Sequence, residues 1–166
     1  MSDPIRIVYT WDKETFLKAS EIAYRYELKH SPKRFLGWLF IAMTQFGVVS
    51  AMKGGGIGLL LLSSLLVIYW YYFRWKIRKT MLAKSFETLP QAGEKYRLIV
   101  SEEGMYMNQR QIAWQDILEV VSFPEGFLLY VDQSFIFFPL DAFDSLEEKN
   151  RFASLAKNKV MHYVRG

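Results

Sequence analysis

Side chains suited to covalent or metal chemistry are few in this chain. It has no cysteine, and its only histidines, His30 and His162, lie in a basic segment and in a predicted terminal helix, without metal-ligand spacing. The acidic pair Glu102–Glu103 precedes a glycine, which is typical of a solvated turn, and the pair Glu147–Glu148 suits a helix N-terminus. We therefore expect no enzymatic activity, no metal and no cofactor.

Two long uncharged runs dominate the sequence instead. They cover Phe35–Met52 and Gly54–Phe73, which are 18 and 20 residues long, and only Lys53 separates them. Because an α-helix rises about 1.5 Å per residue and the hydrocarbon core of a bilayer is about 30 Å thick, each run is just long enough to cross a membrane. Residues 32–79 are therefore predicted to form a two-span transmembrane helical hairpin. The alternative is a pair of buried helices in a soluble protein.

The distribution of charge predicts the orientation of this hairpin. Between Glu27 and Glu87 there are nine basic residues and no acidic ones. The rest of the chain contains 12 basic and 17 acidic residues, a net charge of −5. The whole chain has a net charge of +4. The positive charge thus belongs to the membrane boundary, and we expect no nucleic-acid partner. Since cytoplasmic flanks retain Lys and Arg, both termini are predicted to be cytoplasmic.

Basic and aromatic residues at the outer ends of the two runs form the predicted membrane interface. Amphipathic rings favour the depth of the lipid headgroups, and each well-placed Lys or Arg near anionic headgroups contributes about 1 kcal/mol. The partner at this interface is a bilayer with anionic headgroups. The interface residues are Lys33, Arg34, Trp38, Trp70, Arg74, Trp75, Lys76, Arg78 and Lys79.

Glycine and other small residues mark the turn and the packing faces of the hairpin. The glycines after Lys53 lack the preceding strand and the following Lys-Ser/Thr of a phosphate-binding loop, so they indicate a tight interhelical turn. Gly47 with Ala51, and Gly54 with Gly58, have the small-xxx-small spacing of closely packed helices. This spacing suits contact within the hairpin or contact between protomers of a homo-oligomer.

The N-terminal region, residues 1–31, predicts one strand and one helix. Ile5–Thr10 alternates apolar and polar residues as a half-buried strand does, and Asp12 is placed to cap an amphipathic helix. Ser31 and Pro32 predict a break and the start of the first span. Because a lone strand is unstable, Ile5–Thr10 is expected to join the sheet of the C-terminal region.

The C-terminal region, residues 80–166, predicts a meander of short antiparallel strands followed by one helix. Ile112–Trp114 is one of the predicted strands. Ser145 and Glu148 have capping-box spacing, so the helix should start there, and Tyr163 is assigned to its apolar face. A strand set closed by one amphipathic helix resembles the pleckstrin-homology-like barrel.

Three passages resemble the YcxB-like family of bacterial membrane proteins. They are the Trp114–Ile117 step, the hairpin at Phe123–Phe127 and the Phe138–Phe143 passage that leads into Ser145. The resemblance implies a cytoplasmic pleckstrin-like domain tethered to the inner membrane of a bacterium, and it brings no catalytic activity. The expected fold class is thus an α+β membrane protein with a two-span hairpin and a pleckstrin-homology-like antiparallel β-barrel or sheet closed by a C-terminal helix.

Three functions are weighed on this basis. The first is a membrane-anchored, non-enzymatic binding module that presents its domain to a protein partner at the cytoplasmic face. The second is an immunity-type protein that neutralises a bacterial toxin at the inner membrane, and the third is a membrane enzyme. Acidic residues in the first hairpin turn disfavour specific acidic-lipid binding by the domain itself. Trp114 is either an anchor of the sheet or a ligand contact, and the candidate partner-binding residues are Glu102, Glu103, Trp114 and Glu125.

Overall fold

The computed structural model describes residues 4–108, 110–132 and 134–166. The chain is an α+β protein that divides into two compact units. One unit contains the residues up to Ala19 together with those from Leu89 onward, and the other contains Ser20–Thr88. Helix α1 (Lys13–His30) contributes residues to both units.

The described residues of the first unit form eight strands in two four-stranded sheets. Sheet one has the order β1-β2-β3-β4, and sheet two has the order β7-β6-β5-β8; neither is closed into a barrel. The strands of sheet one are β1 (Ile5–Thr10), β2 (Lys95–Val100), β3 (Gly104–Met107) and β4 (Arg110–Ala113). Those of sheet two are β5 (Ile117–Phe123), β6 (Gly126–Val131), β7 (Ser134–Pro139) and β8 (Tyr163–Arg165).

Strand β1 alternates between the core and the surface and pairs with β2 along its whole length. Ile5 lies opposite Val100 and Thr10 opposite Lys95, in an antiparallel register. Ile7, in the middle of β1, is fully buried and also forms an isolated bridge to Phe143. The first strand of the chain therefore completes a sheet whose other members lie about 90 residues later.

Both sheets and the C-terminal helix α5 (Leu146–Lys159) share one hydrophobic core. Ile7 and Leu98 enter it from sheet one, and Phe127 and Phe138 enter it from sheet two. The fully buried ring of Phe152 on α5 packs edge-on against Phe127 and Phe138, at centroid distances of 4.9 and 5.5 Å. Helix α5 thus covers the core between the sheets.

Two predicted helix caps are present. Asp12 Oδ1 accepts the backbone N–H of Thr15 at 2.7 Å, and Ser145 Oγ accepts that of Glu148 at 3.2 Å. Each side chain satisfies a backbone donor that has no partner inside its helix. The acceptor at Asp12 lowers the pKa of that carboxyl, because the backbone N–H of Thr15 stabilises the charged form.

Two sequence assignments in this unit are wrong. Tyr163 does not lie on α5, because the helix ends at Lys159 and the following residues form β8 parallel to β5. The backbone N–H of Val120 bonds to the His162 carbonyl at 2.9 Å, so the strand partner outweighs one more helical turn. Trp114 does not end a strand; it opens a short 3₁₀ turn, Trp114–Asp116, after β4.

The second unit contains an antiparallel helical hairpin. Helix α2 (Arg34–Met52) is followed by α3 (Gly58–Ile68), a π-helical turn at Tyr69–Phe73, and α4 (Arg74–Phe86). From Gly58 to Phe86 the helical path is continuous over 29 residues. Both long helices have the length and apolar composition of membrane spans.

Glycine at position 47 lets the two helices of the hairpin approach closely. A Cβ atom added there would lie 2.7 Å from the Cα of Leu60, which is closer than real Cβ contacts allow. This agrees with the small-residue spacing around Gly47. Gly54 and Gly58 have no atom within 4 Å of such a Cβ, so they make no close helix contact within the chain and instead belong to the turn and its exit.

The hairpin differs from the sequence prediction at both outer ends. Helix α2 starts at Arg34 rather than at Pro32, because the backbone N–H of Lys33 bonds to Ser31 Oγ in a separate turn. The second helix starts at Gly58 rather than at Gly54, and it continues beyond Phe73 into the basic segment. Charged residues end an apolar run, yet they do not end a helix, since Lys and Arg are good helix formers.

Candidate functional site

A large concave surface of the first unit is the groove between the β2–β3 turn and helix α5. Its cavity volume is about 640 Å³. Glu102 contributes to it from the turn, and Leu146, Glu147 and Arg151 contribute from α5. Leu146 is 70% exposed, so the groove offers an apolar side chain beside two carboxylates and one guanidinium.

The β2–β3 turn has a fixed conformation. The backbone N–H of Ser101 bonds to the Gly104 carbonyl at 2.9 Å, and the Glu103 N–H bonds to Ser101 Oγ at 3.3 Å. From below the turn, the indole Nε1 of Trp114 donates to the Ser101 carbonyl at 3.0 Å. These bonds hold Glu102 and Glu103 at the surface beside the groove.

Trp114 itself belongs to the core. Its side chain is 6% exposed and lies among core residues, with its ring 6.4 Å from that of Phe152. Burial of an indole with its N–H satisfied is the arrangement expected of an anchor. Trp114 therefore positions the turn that carries Glu102 and Glu103.

Glu125 lies in a different turn, between β5 and β6. Its side chain is exposed, and its backbone carbonyl accepts the N–H of Leu140 at 3.1 Å. It does not line the groove beside α5. The structure thus separates Glu125 from the groove that Glu102 lines.

A second cavity of the first unit was not predicted from the sequence. It has a volume of about 270 Å³ and is lined by residues of both sheets, among them Tyr9, Trp11 and Tyr96. The rings of Tyr9 and Tyr96 stack at 5.6 Å. Burial raises the pKa of Tyr9, with a further contribution from Tyr96, and burial also raises the pKa of Tyr96. The only sequence signal was the density of aromatic residues around β1 and β2.

Five of the predicted interface residues come together around Tyr24 in the helical unit. Lys33, Arg74 and Arg78 line one small cavity with Tyr24. Trp70 lies under the Arg74 guanidinium at 3.9 Å, and the ring of Trp75 stacks on Tyr24 at 5.1 Å. Tyr24 was missed from the sequence because it lies off the apolar stripe assigned to α1, although three of its neighbours in the chain are apolar or aromatic.

The other predicted interface residues lie elsewhere on the helical unit. The Arg34 guanidinium lies 4.7 Å from the Phe35 ring and donates to the Lys29 carbonyl. Trp38 is 68% exposed, and Lys76 and Lys79 are exposed residues of α4 that do not line the cavity. Over residues 4–108, 110–132 and 134–166, no three His, Cys, Asp or Glu side chains are grouped to hold a metal ion.

The architecture defines an α+β protein with two helices apolar enough to span a membrane and a separate unit of two sheets covered by a C-terminal helix. Within that unit, residues 100–156 match the family described as YcxB-like protein. The resemblance predicted from the Trp114–Ile117 and Phe138–Phe143 passages is confirmed over this range. No curated protein and no solved structure shows significant similarity to the chain.

Proposed function

We propose that the chain is a membrane-anchored, non-enzymatic binding module. Its hairpin crosses the inner membrane of a bacterium with both termini in the cytoplasm. Its two-sheet unit is a pleckstrin-homology-like domain that binds a protein partner at the cytoplasmic face.

Exposed apolar side chains on the hairpin are the observation that supports this proposal most strongly. Only 11% of the apolar window of the first helix and 6% of that of the second is buried within the chain. Phe46 is 71% exposed and Leu65 is 65% exposed. Exposing such side chains to water costs about 25 cal/mol per Å² of apolar surface, whereas a core helix of a soluble protein would be mostly covered. Lipid is the covering that fits helices of this length.

The architecture of the first unit supports a pleckstrin-like domain. Two mostly antiparallel sheets share one core, and a single C-terminal helix covers it. Strand β1 reaches the sheet from before the hairpin, so the helices are an insertion into one domain. The chain leaves this unit at the start of the hairpin and returns to it at the end. Both ends of the hairpin are therefore on the same side of the bilayer.

The groove beside α5 is the proposed partner-binding surface. The first unit contains 14 acidic and 11 basic residues in sequence, a balance of −3. Glu102 and Glu147 place two of these carboxylates beside the exposed Leu146. A basic protein segment that carries an apolar side chain fits this surface, since opposite charges speed association and an apolar anchor supplies affinity. Glu103 and Glu125 add to the same negative field from their turns.

An immunity-type function is the second candidate, and the negative balance of the first unit favours it. An acidic domain at the inner membrane would attract a basic toxin through the same groove. Co-expression decides between the two functions: protection of the cell against one toxin supports immunity, whereas capture of a resident protein without protection supports the binding module.

Membrane topology can be tested directly, because the chain has no native cysteine. In G56C the new side chain would meet open space in the interhelical turn, and in M161C it replaces a residue that is 92% exposed. A membrane-impermeant maleimide added to spheroplasts should label G56C, and it should label M161C only after the membrane is permeabilised. Labelling of both positions in intact spheroplasts would refute the proposed orientation.

The binding surface can be tested with a photo-crosslinking amino acid in the full chain in native membranes. The probe replaces Leu146 in the groove, and the matched control replaces Leu118 of β5, which is 55% exposed and does not line the groove. We expect one defined protein adduct with the probe at position 146 and none with the probe at position 118. The adduct at position 146 should be lost when Glu102→Lys is added. Equal crosslinking at both positions, or no adduct at position 146, would remove the groove from the proposal.

A further inference from the structure

The hairpin register brings basic residues from separate segments to the same level. Gly47 lies against Leu60, and Gly37 lies against Trp70, where an added Cβ would be 2.8 Å from the indole Nε1. Helices α2 and α3 therefore run antiparallel, and Lys33, which precedes α2, comes level with Arg74 at the start of α4. These two cations are 41 positions apart in sequence but occupy one end of the hairpin.

Aromatic rings hold the Arg74 guanidinium in place. Its Cζ lies 3.9 Å from the centroid of the Trp70 ring and 5.3 Å from that of Tyr24. The guanidinium of Arg78 lies 4.9 Å from the same Tyr24 ring. Such cation–π contacts orient a guanidinium through its flat face and leave its N–H donors for other partners.

Arg74 has a buried donor that no atom of the described residues satisfies. Its Nη1 atom is inaccessible to solvent and has no hydrogen-bond partner. Buried polar atoms are nearly always paired, and leaving a charged donor unpaired is costly. Arg74 also lines a basic cavity, where an anionic group would give its guanidinium the acceptor it lacks.

The cavity beside Arg74 has the size and charge of a site for a small anion. Its volume is about 80 Å³, well below the roughly 300 Å³ of a drug-sized pocket. Lys33, Arg74 and Arg78 line it, and Glu27 is the carboxylate that also lines it, so the local balance is +2. Ser31 lies at the same cavity, and its Oγ accepts the Lys33 backbone N–H at 3.2 Å, which leaves its hydroxyl proton to be donated.

The π-helical turn places Arg74 at this position. The backbone N–H of Arg74 bonds to the Tyr69 carbonyl, five residues earlier, so one extra residue is inserted where α3 passes into α4. A π turn is uncommon and is frequently found at functional sites. Without that extra residue, Arg74 would be rotated by about 100° around the helix, since an α-helix has 3.6 residues per turn.

We propose that Lys33, Arg74 and Arg78 form a discrete binding site for one phosphate group, and that the phosphate is supplied by an anionic lipid headgroup. Each guanidinium can donate two parallel N–H bonds to phosphate oxygens, while Lys33 supplies a point charge. The phosphate chemistry follows from the cavity alone. The lipid as its source rests on the proposed membrane insertion, which places this end of the hairpin at headgroup depth.

The test measures lipid binding to the full chain in detergent by native mass spectrometry. The probe is phosphatidylglycerol, and diacylglycerol is the control lipid without a phosphate. The variants are R74Q and R78Q, and K84Q is the matched control, because it removes one positive charge from an exposed residue of the same helix without lining the cavity. A hydrogen bond to a charged group contributes about 1.5–3 kcal/mol. R74Q should therefore weaken the binding of the first phosphatidylglycerol molecule by about tenfold or more. K84Q should change the affinity for the first phosphatidylglycerol by less than about threefold.

The proposal is overturned if K84Q weakens phosphatidylglycerol binding as much as R78Q does, because the attraction would then be diffuse. Equal binding of phosphatidylglycerol and diacylglycerol by the wild-type chain overturns it as well, and this comparison needs no variant to fold. R74K keeps the charge but loses the paired donors, so it should bind more weakly than the wild type and more tightly than R74Q.

Competition by inorganic phosphate identifies the source of the phosphate. If millimolar phosphate does not displace the first phosphatidylglycerol molecule, the result supports the lipid headgroup as the natural occupant. Displacement refutes the lipid assignment and assigns the site to phosphate from solution. These results are independent of the topology and crosslinking tests above, because lipid binding in detergent requires neither a defined orientation nor a protein partner.

Discussion

The ring of Phe152 holds α5 against both sheets, so its removal should loosen the whole first unit. Phe152 is fully buried, and the rings of Trp114, Phe127, Phe138 and Phe143 lie at centroid distances from 4.9 to 6.4 Å. Truncation of a buried Phe to Ala costs about 3–5 kcal/mol, which combines lost burial with the cavity left behind. The higher helix propensity of Ala returns only about 0.5 kcal/mol.

This loss can be measured by amide hydrogen exchange on the full chain in detergent micelles. At about 1.4 kcal/mol per factor of ten, Phe152→Ala should accelerate exchange in strands β6 and β7 by about two to three orders of magnitude. Amides of α2 should exchange at their wild-type rate, since that helix belongs to the other unit. The control is Leu146→Ala on the same helix, where the side chain is 70% exposed and a change below about 0.5 kcal/mol is expected.

Two results would refute this account of the core. One is a loss of less than about 1 kcal/mol in the free energy of unfolding of F152A. The ring would then not be the central contact between the sheets and α5. The other is a loss of similar size in L146A, because the effect would then reflect α5 as a helix rather than the buried ring.

Three further predictions concern other elements. Ser145→Ala removes the acceptor of the Glu148 N–H and should destabilise α5 by about 1 kcal/mol, measured by exchange of its first-turn amides. Gly47→Leu should separate α2 from α3 at a cost of about 1–3 kcal/mol in stability, and circular dichroism should show a lower thermal midpoint of helix loss. Gly58→Leu is the control and should be tolerated, because its Cβ meets open space. Tyr9 has a raised pKa in the folded chain, so its contribution to stability should be complete below the usual tyrosine value of 10.0 and decline as the pH rises above it. The decline should be smaller in Tyr9→Phe, as measured by alkaline unfolding.

Several sequence predictions depend only on near neighbours in the chain, and the structure agrees with them. The caps at Asp12 and Ser145 bond to N–H groups three residues away. The alternation in Ile5–Thr10 appears as alternate burial along β1. Local patterns of this kind are reliable because the relevant contacts lie within one or two turns of a helix or along one strand.

Two of the misses occur where a distant partner decides the structure or the contacts of a residue. Tyr163 fits the helical spacing of α5, yet its backbone pairs with β5, some 40 residues earlier in the chain. Tyr24 looks like an ordinary helical residue until Arg74, Trp75 and Arg78 are placed against it. Neither outcome can be read from spacing, because the energy of a non-local contact depends on the fold that brings the partners together.

The sequence alone determined the apolar character of the two helices, the placement of positive charge at their outer ends, and the match of residues 100–156 to the YcxB-like family. These properties follow from composition, periodicity and short motifs. Only the tertiary structure decided that β1 pairs with β2, with Ile5 opposite Val100, and that Lys33 meets Arg74 at one cavity. Strand register and helix packing unite residues far apart in the chain, so the groove beside α5 and the basic cavity exist only in the folded protein.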